Sequence, residues 1–295
     1  MLFRSTTVTT WEAILAPSIL QRRLVRALAW LDGRLGRPAT RCLGGLTHYL
    51  AGGLDAIHEV GLDAAEEDYL LLLPAAGCFV MLLAFPSAPG LQRLGDFDNT
   101  VSAGRQRRLL RFYRRCLQRH VHADGGHRRL LSKNAAFGSW IRGLHETLPG
   151  ARFIVCIRPP GEALSSQISA VSAARPLFGT ATHGAAFQRL FLDTYAATLD
   201  HLAATILAWP PDTVAVVDAA SLRHQPAEVI RNTMHWLAIA ETPELTRALA
   251  ALPSTRSSHH HRVAELSLDA DTISERLDPA YRRLLAMAHR VEASA

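Results

Sequence analysis

The chain has almost no lysine. Of the 32 lysines and arginines among its 295 residues, only Lys133 is a lysine. An arginine presents a wide planar fork of donors, whereas a lysine presents a compact point charge. The single lysine therefore marks a position where a compact charge is wanted. The alternative is that Lys133 is a lysine by chance and lies on a loop without a function.

Cysteine is also scarce, and its distribution excludes two classes of fold. The four cysteines are separated by wide gaps and form no C-x-x-C pair: Cys42, Cys78, Cys116 and Cys156. This argues against a disulfide framework and against a zinc site. The N-terminus lacks the basic and then apolar pattern of a signal peptide. We therefore predict a cytoplasmic protein.

Several catalytic motifs are missing. The chain has no G-x-S-x-G, no dinucleotide-binding glycine fingerprint and no Walker motif, so hydrolase and dehydrogenase functions have no support. Histidines occur at 259–261 and at His120, His122 and His127. Three adjacent side chains cannot converge on one ion without distortion, and no cluster of carboxylates accompanies either group. We predict no metal.

An apolar and uncharged run at 69–86 is interrupted by Pro74 and Gly77 and has no basic flank directly after it. These features favour a pair of core helices over a membrane span. The run could also line a pocket for a lipid-like acceptor, although core packing explains it equally well.

The formal net charge of +6 favours anionic partners. Much of the positive charge lies in 104–121, whose spacing predicts an amphipathic helix. Its apolar stripe consists of Leu109, Phe112, Tyr113, Cys116 and Leu117. The remaining surface carries Arg105, Arg107, Arg108, Arg111, Arg114, Arg115 and Arg119. This helix could bind nucleic acid or an acidic acceptor. A solvated face is favoured, because base-stacking aromatic residues are absent.

The stretch 129–170 predicts a strand, a loop, a helix, a second strand and a second helix. The apolar run 153–157 is typical of a strand that is buried on both faces in a parallel sheet. Pro159 and Pro160 then open a helix, since the first turn needs no N–H. Ligands bind at the carboxyl ends of parallel strands. Lys133 and Arg158 are predicted to lie at such ends.

Helices and strands continue to alternate towards the C-terminus, with a helix at 187–209 and a buried strand at 213–217. This order predicts an α/β protein in which helices flank a parallel sheet.

Arg158 and Ser166 are eight residues apart. The first closes a predicted strand, and the second lies in the second turn of the following helix. A guanidinium and a hydroxyl near a helix N-terminus can hold a phosphate. A surface arginine and an unrelated helix serine are the alternative.

This stretch resembles the sulfotransferase family, whose co-substrate is 3′-phosphoadenosine 5′-phosphosulfate. The resemblance implies a fold related to the P-loop NTPases, in which Arg158 and Ser166 bind the 3′-phosphate of the donor. It also implies that Lys133, in the segment LSKN, stabilises the departing phosphate. Further similar segments are TTWE at 9–12, HEVGLDAAEEDYLLL at 58–72, a strand containing Leu222 and Pro226, and HHHRVAELSL at 259–268.

The implied reaction is direct sulfuryl transfer to a hydroxyl or amine of a small-molecule or lipid-like acceptor, without metal and without nucleic acid. Many members of the family place a histidine shortly after the lysine. This chain has Asn134, Ala135 and Ala136 there, so the sequence identifies no general base. His122, His145 and Asp98 are weak alternatives.

The family's phosphosulfate loop, a P-x-S-G-T-T-like turn, should precede TTWE and is not found. We therefore expect a single domain, 1–295, that lacks its first strand, loop and helix. Its expected parts are a mostly helical acceptor side at 1–125, a nucleotide-binding core at 126–240 and a C-terminal loop and helix at 241–295. The alternatives are a non-catalytic module that binds a 3′-phosphorylated nucleotide and, less favoured, a basic nucleic-acid-binding protein.

Overall fold

The computed structural model describes residues 5–15, 18–51, 67–178, 184–252 and 268–293. The strands are β1 (Ser5–Thr6), β2 (Arg129–Leu130), β3 (Phe153–Ile157) and β4 (Val214–Asp218). The α-helices are α1 (Thr10–Leu15), α2 (Ile19–Arg34), α3 (Pro38–Ala51), α4 (Pro89–Gln92), α5 (Phe97–Thr100), α6 (Ala103–Ala123), α7 (Ile141–Thr147), α8 (Pro160–Phe178), α9 (Ala185–Ile206), α10 (Ala219–His224), α11 (Pro226–Trp236), α12 (Pro243–Ala250) and α13 (Ala270–Ala293). Short 3-10 helices span Asp68–Ala75, Phe79–Leu82, Arg93–Asp96 and Gly138–Trp140.

The chain divides into two compact units. The first draws on Phe3–Thr147 and Ala170–His183, and the second on Leu148–Ser169 and Gly184–Ala295. The three-part division expected from the sequence stays a prediction.

In the first unit, helix α6 supplies the central packing surface. It buries Leu109, Tyr113 and Leu117 against the Asp68–Ala75 turn, α2 and α7. Beside it, the rings of Phe97 and Trp140 stack with centroids 3.5 Å apart. The predicted amphipathic helix is confirmed, because its apolar stripe is the face that the core covers.

The apolar run 69–86 does not form the predicted pair of core helices. It forms the 3-10 helices Asp68–Ala75 and Phe79–Leu82. Pro74 lacks the N–H that an α-helix needs, and Ala76 ends the first segment at φ 50°. A Cβ on Gly77 would come within 2.6 Å of the Leu109 side chain, so any larger residue there would displace that buried side chain. Among the described residues, no helix combines the length and apolarity needed to cross a bilayer.

In the second unit, β3 and β4 pair in parallel, with Phe153 opposite Val214 and Ile157 opposite Asp218. The predicted bounds of β3 are correct. Helix α13 packs on both α9 and β4, and every residue of β4 is buried. The carboxyl ends of the two strands therefore lie side by side, as a ligand site of this type requires.

The prediction that β3 is buried on both faces is wrong. Ile154 is 37% exposed, and Cys156 is exposed as well. Within the described part of the chain, β3 has a strand partner on one edge only, and α13 packs mainly on β4. A continuous apolar run predicts a strand, but it cannot show whether neighbours cover both of its faces.

A buried charge cluster joins α1, α2 and α6. Arg22 Nε lies 2.6 Å from Glu12 Oε1, and Arg22 NH1 donates to the backbone oxygen of His120 at 2.8 Å. The ring of His120 also reaches Thr6 Oγ1 in β1 at 2.9 Å. Burial alone would raise the pKa of Glu12, but the neighbouring His120 and Arg22 outweigh it and lower that pKa. The cluster therefore ties four elements together.

Replacing Arg22 with methionine should destabilise the chain by about 1.5–3 kcal/mol, because the half-buried Glu12 would lose its shortest ion pair and keep only the more distant Arg26 and His120. Urea unfolding at pH 7 measures this loss. Arg23→Met, on the exposed face of the same helix, is the matched control and should change the free energy of unfolding by less than about 0.5 kcal/mol. Equal losses in the two variants would contradict a specific role for the cluster.

Candidate functional site

Arg158 follows directly after β3 and reaches over the start of α8. Its NH2 group donates to the carbonyl oxygens of Glu162 at 3.1 Å and Ala163 at 3.3 Å. In an α-helix the carbonyl of residue 162 also accepts from the amide of residue 166. The guanidinium therefore lies against the first two turns of α8, in which Ser166 also lies.

Ser166 lies in the second turn of α8, as predicted, and is half-buried. Its hydroxyl has no hydrogen bond to any other residue that the structure describes. Arg158 likewise has no ion pair with a described carboxylate. The carboxylate of Glu162 pairs instead with Arg223, at 3.9 Å. A guanidinium has five donors, so Arg158 retains donors for an anion while two backbone oxygens hold it in place.

Two further residues border this site, and neither was predicted from the sequence. Asp218 ends β4 and caps α10, because its Oδ2 accepts from the amides of Ala220 and Ser221. Tyr195, on α9, lies close enough to Arg158 for the charge of Arg158 to affect the pKa of the Tyr195 hydroxyl. Burial raises the pKa of Tyr195 to about 12, although the charge of Arg158 opposes that rise. Tyr195 is therefore a neutral hydroxyl donor at neutral pH.

Lys133 lies in the first unit, three residues beyond the end of β2, and is exposed. No described carboxylate forms an ion pair with its ammonium group. The side chains on either side of it are held by the core. Tyr113 Oη lies 3.3 Å from Ser132 Oγ, and Asn134 Nδ2 donates to Asp68 Oδ1 at 2.8 Å. Both neighbours of Lys133 are therefore anchored while the ammonium group faces solvent.

The sequence profile of the sulfotransferase family matches residues 91–243, slightly more than half of the chain. The chain belongs to the sulfotransferase family. The matched segment contains Lys133, Arg158 and Ser166. No curated protein sequence matches the chain.

Two solved structures share the fold of this sulfotransferase-family chain. Sulfotransferase STF1 from Mycobacterium tuberculosis matches with a TM-score of 0.63 and 17% identity, over 94% of this chain and 70% of that one. Sulfotransferase STF9 from Mycobacterium avium matches with a TM-score of 0.67 and 16% identity, over 96% of this chain and 70% of that one. The predicted P-loop-like α/β fold is thus confirmed.

Asp68 is the buried acid beneath the Lys133 loop, with only 1% of its surface exposed. Burial raises the pKa of Asp68, although Ser132, Asn134 and Tyr113 each favour its charged form. The pKa of Tyr113 is also raised well above its usual value, first by burial and then by Asp68. Tyr113 was predicted only as a member of the apolar stripe of α6, so this polar cluster was not foreseen from the sequence.

Asp98, one of the weak alternatives for a general base, has a structural role. Its Oδ2 accepts from the amide of Arg142 at 2.9 Å and its Oδ1 from the amide of Gly143 at 3.2 Å. It thereby binds the free N–H groups at the start of α7. Both of its carboxylate oxygens are therefore occupied in holding that helix.

No group of three metal-ligating side chains is found among the residues that the structure describes. Two of the segments that resemble the sulfotransferase family lie wholly or partly outside the described residues. They are 259–268, which includes the three adjacent histidines and is described only at 268, and 58–72, which is described only from 67 onwards.

Replacing Asp68 with alanine should cost about 1–3 kcal/mol of stability, because Asn134 loses its acceptor in the core. Asp68→Asn keeps an acceptor oxygen and removes the charge. Since burial raises the pKa of Asp68, its ionisation favours the unfolded chain at any pH above about 4. The stability of the wild type relative to Asp68→Asn should therefore fall as pH rises from 4 to 8 in urea unfolding. A relative gain over that range would contradict a buried carboxyl with a raised pKa.

Proposed function

We propose that the chain transfers a sulfuryl group from 3′-phosphoadenosine 5′-phosphosulfate to a hydroxyl or amine acceptor. The observation that carries this proposal is the placement of Arg158 on the turn of α8 that carries Ser166, in a member of the sulfotransferase family. The donor supplies the sulfuryl group and a leaving phosphate. The residues of the chain hold the donor and stabilise charge.

Arg158 and Ser166 fit the 3′-phosphate of this donor. Arg158 has spare N–H donors and no described carboxylate partner, and the Ser166 hydroxyl has no described partner. Charge-assisted bonds from a guanidinium to a phosphate are among the strongest hydrogen bonds in proteins. Tyr195 adds a neutral hydroxyl beside Arg158. Together these groups favour a dianionic phosphate over a neutral ligand.

Lys133 is proposed to stabilise the negative charge that builds on the leaving phosphate oxygen. It is exposed and has no ion pair within the described residues, so its full charge is available. Anchoring of Ser132 and Asn134 holds the backbone on both sides of it. A fixed cation reduces the reorganisation needed when charge develops during the reaction.

Calorimetry with 3′,5′-diphosphoadenosine tests whether Arg158 and Ser166 bind the 3′-phosphate. Arg158→Ala should weaken binding by about 1.5–3 kcal/mol, the usual worth of a hydrogen bond to a charged group. Ser166→Ala should weaken binding by about 1 kcal/mol, as for a typical hydrogen bond.

Arg152→Ala is the matched control for this measurement, because Arg152 precedes the other end of β3. There its side chain donates to the backbone oxygen of Trp236 at 2.7 Å and lies over the indole ring. Its variant should bind the nucleotide like the wild type. An equal loss in the two arginine variants would remove the assignment of Arg158.

Lys133→Ala should lower turnover by about 100-fold or more, the usual effect of removing a group that stabilises charge in the transition state. Binding of 3′,5′-diphosphoadenosine should change by less than about twofold, because the proposed role concerns charge that develops only in the reaction. Release of this nucleotide from the donor is measured with a phenol, an alcohol and a primary amine as acceptors. Full turnover in the variant would exclude Lys133. Binding without turnover in the wild type would favour the non-catalytic alternative.

A further inference from the structure

The outward face of α6 carries five arginines that the described part of the chain leaves without partners. None of the five makes an ion pair or hydrogen bond with another described residue, and all are exposed: Arg107, Arg108, Arg111, Arg114 and Arg115. The helix contains no acidic residue. We call these five residues the arginine face.

Several arginines elsewhere do have partners. Arg105, at the start of the same helix, donates to the backbone oxygens of Gly90 and Ala76. Arg231 pairs with Glu241 at 3.2 Å, and Arg283 pairs with Asp200 at 3.1 Å. The arginine face therefore places five unpaired positive charges on one helix of a chain whose net charge is +6.

The arginine face is linear. Arg107, Arg111 and Arg115 follow one another every four residues, which places neighbouring side chains about 5–6 Å apart on one side of a helix. The row spans about 12 Å at the helical rise. Four of the five arginines border an open cavity of about 450 Å³, together with Gly104 and Phe112. A row of this kind matches a linear ligand with repeating negative charges.

We infer that the arginine face binds the acceptor of the reaction and that this acceptor is an anionic polysaccharide. The inference rests on the proposed function. Guanidinium groups pair with carboxylates and sulfates through two parallel hydrogen bonds. An anionic polysaccharide carries such groups at regular intervals, together with the hydroxyls that sulfuryl transfer requires. In the transfer, the sulfur–oxygen bond to the donor phosphate breaks, a bond to an acceptor hydroxyl oxygen forms, and the hydroxyl proton passes to solvent.

Nucleic acid fits this surface less well. Proteins that bind single strands stack bases on aromatic side chains, and the aromatic residue at the cavity, Phe112, is half-buried. Proteins that bind duplexes commonly make about 6–10 phosphate contacts, more than a row of about 12 Å provides. A lipid surface is also disfavoured, because α6 buries most of its apolar side chains in the core and leaves only the half-buried Phe112 beside the arginines, too little apolar surface to insert.

Calorimetric titration of the full chain with dextran sulfate, at several salt concentrations, tests this inference. The variant Arg107→Gln with Arg111→Gln and Arg115→Gln should bind at least tenfold more weakly. It should also reduce the dependence of log K on log salt by about three, one for each cation removed. The matched control removes the same charge from exposed arginines on α12 and α13, with Arg247→Gln, Arg276→Gln and Arg282→Gln, and should change binding by less than twofold.

Three results of the binding experiment would overturn the inference: an equal loss in the control variant, equal binding of uncharged dextran, or tighter binding of a 20-base-pair DNA duplex at the same concentration of charge. Arg158→Ala should bind dextran sulfate like the wild type. A failure of nucleotide binding in the chain would therefore refute the proposed function without altering the result for the arginine face.

Turnover with carboxymethyl dextran separates an acceptor site from a surface that merely attracts polyanions. The variant of the arginine face should raise KM about tenfold and leave kcat within twofold, because it loses acceptor binding and retains the reacting groups. An unchanged KM would show that the acceptor binds elsewhere. Circular dichroism of each variant checks that the exposed substitutions leave the fold intact.

Discussion

Burial of one face of α6 is the constraint on which the first unit depends. The same helix supplies Tyr113 to the polar cluster beneath Lys133 and His120 to the charge cluster with Arg22. Its opposite face holds the unpaired arginines. Packing in the core fixes the rotation of the helix about its axis. Because side chains on a helix are separated by fixed angles, this rotation sets the positions of Tyr113, His120 and the unpaired arginines.

The second unit depends on the parallel pairing of β3 and β4. Their register sets Ile157 opposite Asp218, so the residues that follow the two strands meet at one edge. Arg158 then bonds to the start of α8, and Asp218 caps α10. Helix α8 thus begins beside the candidate phosphate-binding residues Arg158 and Ser166, where a helix N-terminus favours an anion.

Prediction from the sequence was most successful where local spacing carries the information. The bounds of β3, the amphipathic nature of α6 and the place of Ser166 in α8 all follow from patterns within about twenty residues. It failed where distant contacts decide. The second face of β3 is exposed. The run 69–86 forms 3-10 helices, and Gly77 between them lies directly against Leu109 of α6. The roles of Asp68 and Tyr195 have no local signal, since each depends on residues from other elements.

The amino-acid sequence by itself determined the family, the order of helices and strands, and the candidate residues Lys133, Arg158 and Ser166, because the spacing of these residues is a local property of the chain. Only the tertiary structure decided which charges are paired. The arginines of α6 look alike in the sequence, yet Arg105 is held by backbone oxygens while Arg111 has no described partner. Pairing depends on atoms that approach within about 4 Å across elements distant in the chain, and no local pattern encodes those distances.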